Sequence, residues 1–430
     1  MSDLSKIDRR DFFKEASAAA VAFSAMAAAL ADEKDKKGEE PIPGPPVKLG
    51  IVGVGAQGKR LLSELTKMPS ADVVALCDSY PKRFRKALRI LDAEPNTYED
   101  CGEMLKEEKD LEAVIVATPP RCHAAMGMDA LKAGKHVFCE SLLAFTIDEC
   151  KQAARAAKGA KTVFQVGHQR RSNPLYKHVL KFIKTGVLGE LKMVRAQWHT
   201  NQSLRRPCRD KKMEKQINWR LYKDTSRGLM GEYGSHQMDL VHWYMKIKPE
   251  SVTGFGGIDR WKDGRTADDN VEVLVRYPEG VKMVYTAMLS SSFEGCFELL
   301  IGTHASVLLV GERKGLLFKE PDAVDMGWEL YARKEEWGEE EGILLDANAT
   351  KYQEVKDGKL IVKVKEEDRP KEEKTPWRCE LEDFFRSIRQ KKPVACTADA
   401  ALVTAVASIV ADEAIAGQSV VKFNADQFKA

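Results

Sequence analysis

Glu232 and His236 stand four positions apart in Gly231-Glu232-Tyr233-Gly234-Ser235-His236, which is the spacing of a carboxylate and an imidazole on one helix face. An imidazole titrates near pH 6.5 and a neighbouring carboxylate can orient it, so His236 is the candidate general base and Glu232 its support. Tyr233 adds a phenolic hydroxyl that could reach a substrate. Asp239, further along the same helix, is a candidate ligand for a substrate hydroxyl, and Arg170, in His168-Gln169-Arg170, is a second candidate substrate contact. Glu140 and Ser141 end an apolar strand at Val137-Phe138-Cys139, and Lys223 offers an amine shortly before the Glu232 motif. This is equipment for moving a proton on or off a hydroxyl. No cluster has the ligand spacing of a metal centre, and His199 with Cys208 is too sparse to make one.

These groups need a scaffold, and the chain supplies a specific one. Val47 to Val52 reads as an apolar strand that runs into Gly53-x-Gly55-x-x-Gly58 and then a helical pattern. In a dinucleotide-binding turn, Gly53 allows the tight bend, Gly55 lets the backbone approach a diphosphate, and Gly58 lets helix and strand pack closely. The strand Val73 to Cys77 then ends at Asp78, an acid placed to accept from adenosine ribose hydroxyls. Asp78 would repel a 2′-phosphate, which favours NAD, whereas Arg83 leaves room for NADP. Strands and helices alternate to about Val166, the pattern of a doubly wound parallel sheet. Ligands lie at the carboxyl ends of such strands, so Thr118, Pro119, Glu140 and Ser141 fall beside the nicotinamide half. Beyond Gly167, period-2 strands such as Val271 to Tyr277, Lys282 to Tyr285 and Phe297 to Ile301 predict a large sheet with one covered face. Trp377 to Arg389 and Ala398 to Ala416 predict two closing helices. The expected fold is therefore α/β: an N-terminal Rossmann domain over 47–166 and a C-terminal α/β domain over 167–430 with a large, open, mostly antiparallel sheet.

Residues 1–31 read as a twin-arginine export signal: Arg9-Arg10, an alanine-rich apolar core, and Ala29-Leu30-Ala31 for cleavage. The core is too short for a permanent membrane span. Residues 32–46, charged and then proline-rich, are expected to be a flexible linker. Export through the twin-arginine machinery to the periplasm would separate the protein from any pool of free nucleotide, so the cofactor should stay bound. A formal charge of +3 on 430 residues is nearly balanced, which argues against nucleic acid as a partner. The nine cysteines are scattered and read as buried apolar residues.

With these motifs in order, the chain resembles the Gfo/Idh/MocA oxidoreductase family over nearly its whole mature length. The resemblance rests on Gly53-x-Gly55-x-x-Gly58, Asp78, Ala117-Thr118-Pro119 with His123, Gly134 to Glu140, Gly167 with Arg170 and Arg171, and Gly234-x-His236-x-x-Asp239. It implies oxidation or reduction of a sugar or cyclitol carbon with NAD(P), and often a homo-oligomer formed through the C-terminal sheet. It also implies that Ala56, Gln57, His123, Trp219 and Arg220 line the cofactor or substrate. One departure stands out. The family usually has Glu-Lys-Pro where this chain has Glu140-Ser141-Leu142, and that lysine polarises the reacting hydroxyl; Lys223 is the candidate replacement. Three readings follow. The first is an oxidoreductase with a tightly held nicotinamide. The second is a redox-neutral NAD-dependent glycosidase, a branch that also lacks the lysine. The third is a non-catalytic sugar-binding relative.

Overall fold

The computed structural model describes residues 41–323, 329, 332–345, 353–356, 359–362 and 374–430. The export-signal reading and most of the predicted linker lie outside the described residues.

β1 (Val47–Val52) is buried along nearly all its length, as a central parallel strand covered on both faces must be. It pairs in parallel with β2 (Ala71–Cys77) on one side and β4 (Ala113–Val116) on the other. With β3 (Asn96–Tyr98), β5 (His136–Glu140) and β6 (Phe164–Gly167), the sheet order is β3-β2-β1-β4-β5-β6. The order reverses between β1 and β4, so the ligand crevice opens over their carboxyl ends. Gly53 leaves β1 with φ at +92°, and a side chain there would meet the Ala117 carbonyl oxygen at 2.7 Å. A Cβ on Gly58 would stand 1.9 Å from the Gly53 carbonyl oxygen. Both positions therefore require glycine, and together they seat the helix Ala56–Leu65 against the strand tips.

The second sheet has ten strands. Its order is β14 (Lys334–Trp337), β15 (Glu340–Leu344), β13 (Lys314–Lys319), β12 (Ala305–Val310), β11 (Cys296–Gly302), β7 (Leu191–His199), β10 (Lys282–Met288), β9 (Asn270–Arg276), β8 (Ser251–Gly257) and β18 (Val421–Lys422). The pair β7 and β10 is parallel, and its neighbours are antiparallel. β16 (Gln353–Lys356) and β17 (Lys359–Val362) form a separate hairpin. Along β9, Val271, Val273 and Val275 are buried while Glu272, Leu274 and Arg276 are exposed, so one face is covered and the other open. The helix Ala398–Gly417 covers β8 and packs on the helices Ile147–Gly159 and Ser235–Met245. By length and composition it could cross a membrane, but two-thirds of its most apolar window is buried, which makes it a core helix here.

The structure corrects the division of the chain. The helix Pro376–Gln390 returns to the N-terminal sheet, where Leu381, Phe384 and Phe385 share an apolar cluster with Leu49, Ile51 and Phe138. A split into contiguous blocks at 166 and 167 misses this, because the helix buries its apolar stripe on the sheet nearest in space. The end of the predicted linker is also fixed to the body. Arg389 donates to the carbonyls of Pro45 and Pro46 at 3.0 and 3.3 Å, and Ile42 packs against the same cluster.

Candidate active site

A dinucleotide must come closest to the backbone at Gly55, and a Cβ built there would meet nothing within 4 Å. The helix that follows has no side-chain cap, so its leading N–H groups are available to an anion. At the end of β4, Thr118 Oγ1 is buried and has no partner. An open cradle, an uncapped helix start and an orphaned hydroxyl fit a bound dinucleotide. Asp78 stands where expected, but its carboxylate already accepts from the Val54 N–H at 3.0 Å, the Tyr80 N–H at 2.9 Å and Arg83 at 3.2 Å. Much of its acceptor capacity goes to ordering this turn, which leaves less for a ribose. Gln57 is also occupied: its amide donates to Glu140 Oε1 at 2.7 Å, and its oxygen accepts from Arg60 at 3.1 Å. It ties the glycine turn to the end of β5.

The two halves of the predicted site meet. Ser141 Oγ lies 3.4 Å from His236 Nε2, although 95 residues separate them in the chain. The Nδ1 of His236 is buried without a partner. His168 packs edge-on against the ring at 5.5 Å between centroids, and its own Nδ1 is 3.9 Å from Asp239 Oδ2. Burial, then the positive environment of His168 and Arg170, push the His236 pKa well below its ordinary value, against a smaller opposing pull from Asp239. The ring is therefore neutral at physiological pH, and Nε2 accepts a proton from the cleft when Nδ1 carries the hydrogen. Glu140 moves the other way: burial raises its pKa above the usual carboxylate range despite the bonds from Gln57 and the backbone. Behind it Glu380, also buried, is raised by burial and by the charge of Glu140.

Several predicted roles need correction. Glu232 does not orient His236. Residues Met230–Gly234 form a π-helical turn, which closes from i to i+5, so the residue four positions on no longer lies beneath. Glu232 pairs with Arg220 at 2.5 Å, and that guanidinium sits 4.2 Å over the ring of Trp219. Trp219 itself is buried behind this pair. Lys223 does not replace the family's lysine: it pairs with Asp268 at 3.1 Å, and its backbone N–H donates to Thr266. Arg170 is 2% exposed and held by Glu298 and Glu312, each at 2.8 Å, so it braces the sheet instead of facing a substrate. Asp239 is 1% exposed; it accepts twice from Arg171, at 2.8 Å each, and from Thr404 at 3.0 Å. His123 is buried between the carbonyls of Leu142 and Thr118, at 2.6 and 2.7 Å, and fixes the strand-end loops without facing the cleft. His168, Asp239 and Cys396 bring three potential ligand atoms within 4.8 Å. With both Asp239 oxygens bound to Arg171, this cluster is a buried ion pair, not a cation site.

Tyr233 keeps a place at the site. It stacks on Trp198 at 4.8 Å with an interplanar angle of 8°, and its hydroxyl accepts from Gln202 at 3.4 Å. Burial first, then the charge of Glu232, raise its pKa to about 12, so the hydroxyl stays a donor at neutral pH. Trp198 on β7 and Gln202 beyond its end carry no local signal, because the pairing of β7 with its neighbours and the bond from the Gln202 N–H to the Leu289 carbonyl bring them there.

Two family models match this architecture. Residues 47–168 match the oxidoreductase family with an NAD-binding Rossmann fold, and residues 176–308 match the GFO/IDH/MocA C-terminal domain. The chain belongs to the Gfo/Idh/MocA oxidoreductase family. Among its relatives, an inositol 2-dehydrogenase/D-chiro-inositol 3-dehydrogenase of Lactiplantibacillus plantarum is 33% identical over 46% of this chain and 51% of its own length. A glycosyl hydrolase family 109 protein of Shewanella pealeana is 28% identical over 56% of each. The chain spans about half the length of the curated relatives it matches. The Gfo/Idh/MocA fold extends further: levoglucosan dehydrogenase in complex with NADH superposes with a TM-score of 0.68, covering 88% of this chain and 99% of that one at 19% identity.

Proposed function

We propose that this family member is an exported, NAD-dependent oxidoreductase that acts on a CH–OH group of a sugar or cyclitol and keeps its cofactor through the cycle. The meeting of Ser141 and His236 beside an open glycine cradle carries this reading. Gly53, Gly55, Gly58, Asp78, Thr118 and Pro119 would hold the nucleotide, which when bound supplies the hydride acceptor and donor. The protein's own part is position and a proton path. His236 Nε2 takes the proton of the reacting hydroxyl, with Ser141 Oγ beside it as a hydrogen-bond partner. Tyr233, held rigid by Trp198, donates to a neighbouring substrate oxygen. No lysine bonds to Glu140, Ser141 or His236 among the described residues, so the hydroxyl is polarised without a cation from that position. Arg83, beside Asp78, leaves NADP as the alternative cofactor. The export signal at Arg9-Arg10 supports a periplasmic location, where a held cofactor is required. Phe255 and Leu274, 66% and 45% exposed on the open sheet face, support association of copies through that face.

A second reading has its own support. Oxidation, elimination, hydration and reduction would cleave a glycoside with no net redox change. A serine in the lysine position and the likeness to a glycosyl hydrolase family 109 protein favour it. One experiment separates the readings: protein carrying its nucleotide is mixed with inositols, anhydrosugars, free sugars and aryl glycosides. Lasting growth of 340 nm absorbance with a polyol supports the oxidoreductase. Aryl alcohol released without lasting absorbance supports the glycosidase. Neither response with any compound would leave the sugar-binding reading.

A further inference from the structure

The function proposed above needs the cofactor to stay on the protein, and the sheet domain carries an element placed to hold it. After β7 the chain makes a long excursion before the π-helical turn, and its segment 203–218 is fastened at both ends. The fastening centres on Asn218, which is 2% exposed. Its Oδ1 accepts from the Arg206 N–H at 2.6 Å, and its amide donates to the Arg206 carbonyl at 3.0 Å and to Glu214 at 3.1 Å. Arg205 pairs with Asp263 at 2.9 Å and also with Glu214. Arg265 donates to the Ser203 carbonyl at 2.6 Å. A buried amide and two braced guanidinium groups make this segment a fixed arm.

The arm reaches the other domain. The side-chain amide of Gln216 donates to the Ser79 hydroxyl at 2.6 Å. Ser79 follows Asp78, at the strand tip where the adenosine ribose belongs. Arg206 is exposed on the arm with its backbone held by Asn218, and burial of Lys59, followed by the charges of Lys86, Arg83 and Arg206, lowers the Lys59 pKa. Lys59 is in the helix that opens after Gly55, and Lys86 is in the helix Phe84–Leu91 that follows β2. Of these four cations, Arg83 alone has a carboxylate partner among the described residues, and that partner is Asp78. Such an excess of positive charge around an uncapped helix start suits a polyanion.

We propose that the 203–218 arm is the outer wall of the dinucleotide site: Arg206 adds its charge to Lys59 and Lys86 around the cofactor's phosphates, and Gln216 latches the wall to Ser79. This rests on the nucleotide reading and goes beyond it, because it assigns cofactor retention to a segment of the sheet domain outside the glycine motif.

The test is a release rate. Wild type, Arg206→Gln and Gln216→Ala are loaded with NADH, mixed with excess NAD, and followed by the loss of bound-nucleotide fluorescence. Loss of one charge-assisted contact predicts release about tenfold faster in Arg206→Gln, equivalent to ~1.4 kcal/mol. Gln216→Ala is expected to release roughly threefold faster, for one neutral hydrogen bond. Added salt should accelerate wild type more than Arg206→Gln. Both side chains are exposed, so nucleotide-free thermal unfolding should match wild type. Release within twofold of wild type in both variants overturns the arm's role. A wild type that binds no nicotinamide nucleotide overturns the functional reading instead.

Discussion

Asp239→Asn separates a structural carboxylate from a substrate ligand. The substitution keeps the shape of the side chain and removes its charge. Asp239 is 1% exposed and accepts both Arg171 bonds at 2.8 Å, while Arg171 is itself 8% exposed. The variant leaves a buried guanidinium without its counter-ion, and breaking such a pair costs about 3–5 kcal/mol. In a protein of this size that corresponds to a fall in Tm of roughly 3–6 °C. The pH dependence has a definite sign. Burial alone would raise the Asp239 pKa, but Arg171, His168 and the Arg171 hydrogen bonds outweigh it and hold it well below its ordinary value. A depressed carboxyl contributes stability above its unfolded pKa near 3.9, and that contribution is lost as pH falls through the folded value. The gap between wild type and variant should therefore be constant from about pH 5 to 8 and close in stronger acid. Guanidinium and thermal unfolding across pH measure it. A variant with unchanged Tm but a KM raised tenfold or more would refute the reasoning and return Asp239 to the substrate.

His236→Ala should lower kcat by about 10²- to 10⁴-fold while leaving the nucleotide bound, as equilibrium dialysis of the variant can check. Because burial keeps the His236 ring neutral, the acid limb of kcat/KM should lie well below pH 6.5; a limb at the ordinary histidine value contradicts the described environment. Ser141→Lys places an ammonium beside His236 and Glu140 and should create or strengthen net dehydrogenation of free polyols, read at 340 nm. No gain there, with nucleotide still bound, would show that the serine is not what limits simple oxidation. Lysines in place of Phe255 and Leu274 on the open sheet face should shift sedimentation from oligomer to monomer, and an unchanged profile rules that face out as the interface.

The features legible in the sequence were those whose causes are local. The glycine turn could be read residue by residue because Gly53 and Gly58 answer contacts within a few positions and the adjoining strand. The capping box of Thr146 and Glu149 is equally local, and the structure makes both of its bonds, at 3.3 and 2.9 Å. The alternation of Val271, Val273 and Val275 foretold a one-sided strand. What failed depended on partners far along the chain. Asp239 looks like a ligand until Arg171, 68 residues earlier, is found gripping it. Glu232 and His236 fit a regular helix, but the π turn between them sends the carboxylate to Arg220. The helix Pro376–Gln390 carries no mark of the domain it joins, since any apolar sheet face satisfies its stripe. Ser141 and His236 belong to separate motifs, and only the packing of the two domains brings them to 3.4 Å.

The central claim is that a carbon-bound hydrogen of a sugar or cyclitol passes to a nicotinamide held beside His236 and, in the net oxidation proposed above, stays there. Deuterated inositol, anhydrosugar, free sugar and aryl glycoside are each incubated with wild type and His236→Ala, the protein is unfolded, and the released nucleotide is analysed by mass spectrometry. The account predicts deuterium on the nicotinamide ring with at least one substrate in wild type and little or none in the variant. Nucleotide that stays unlabelled with every compound in wild type, or equal labelling in the two proteins, would contradict it.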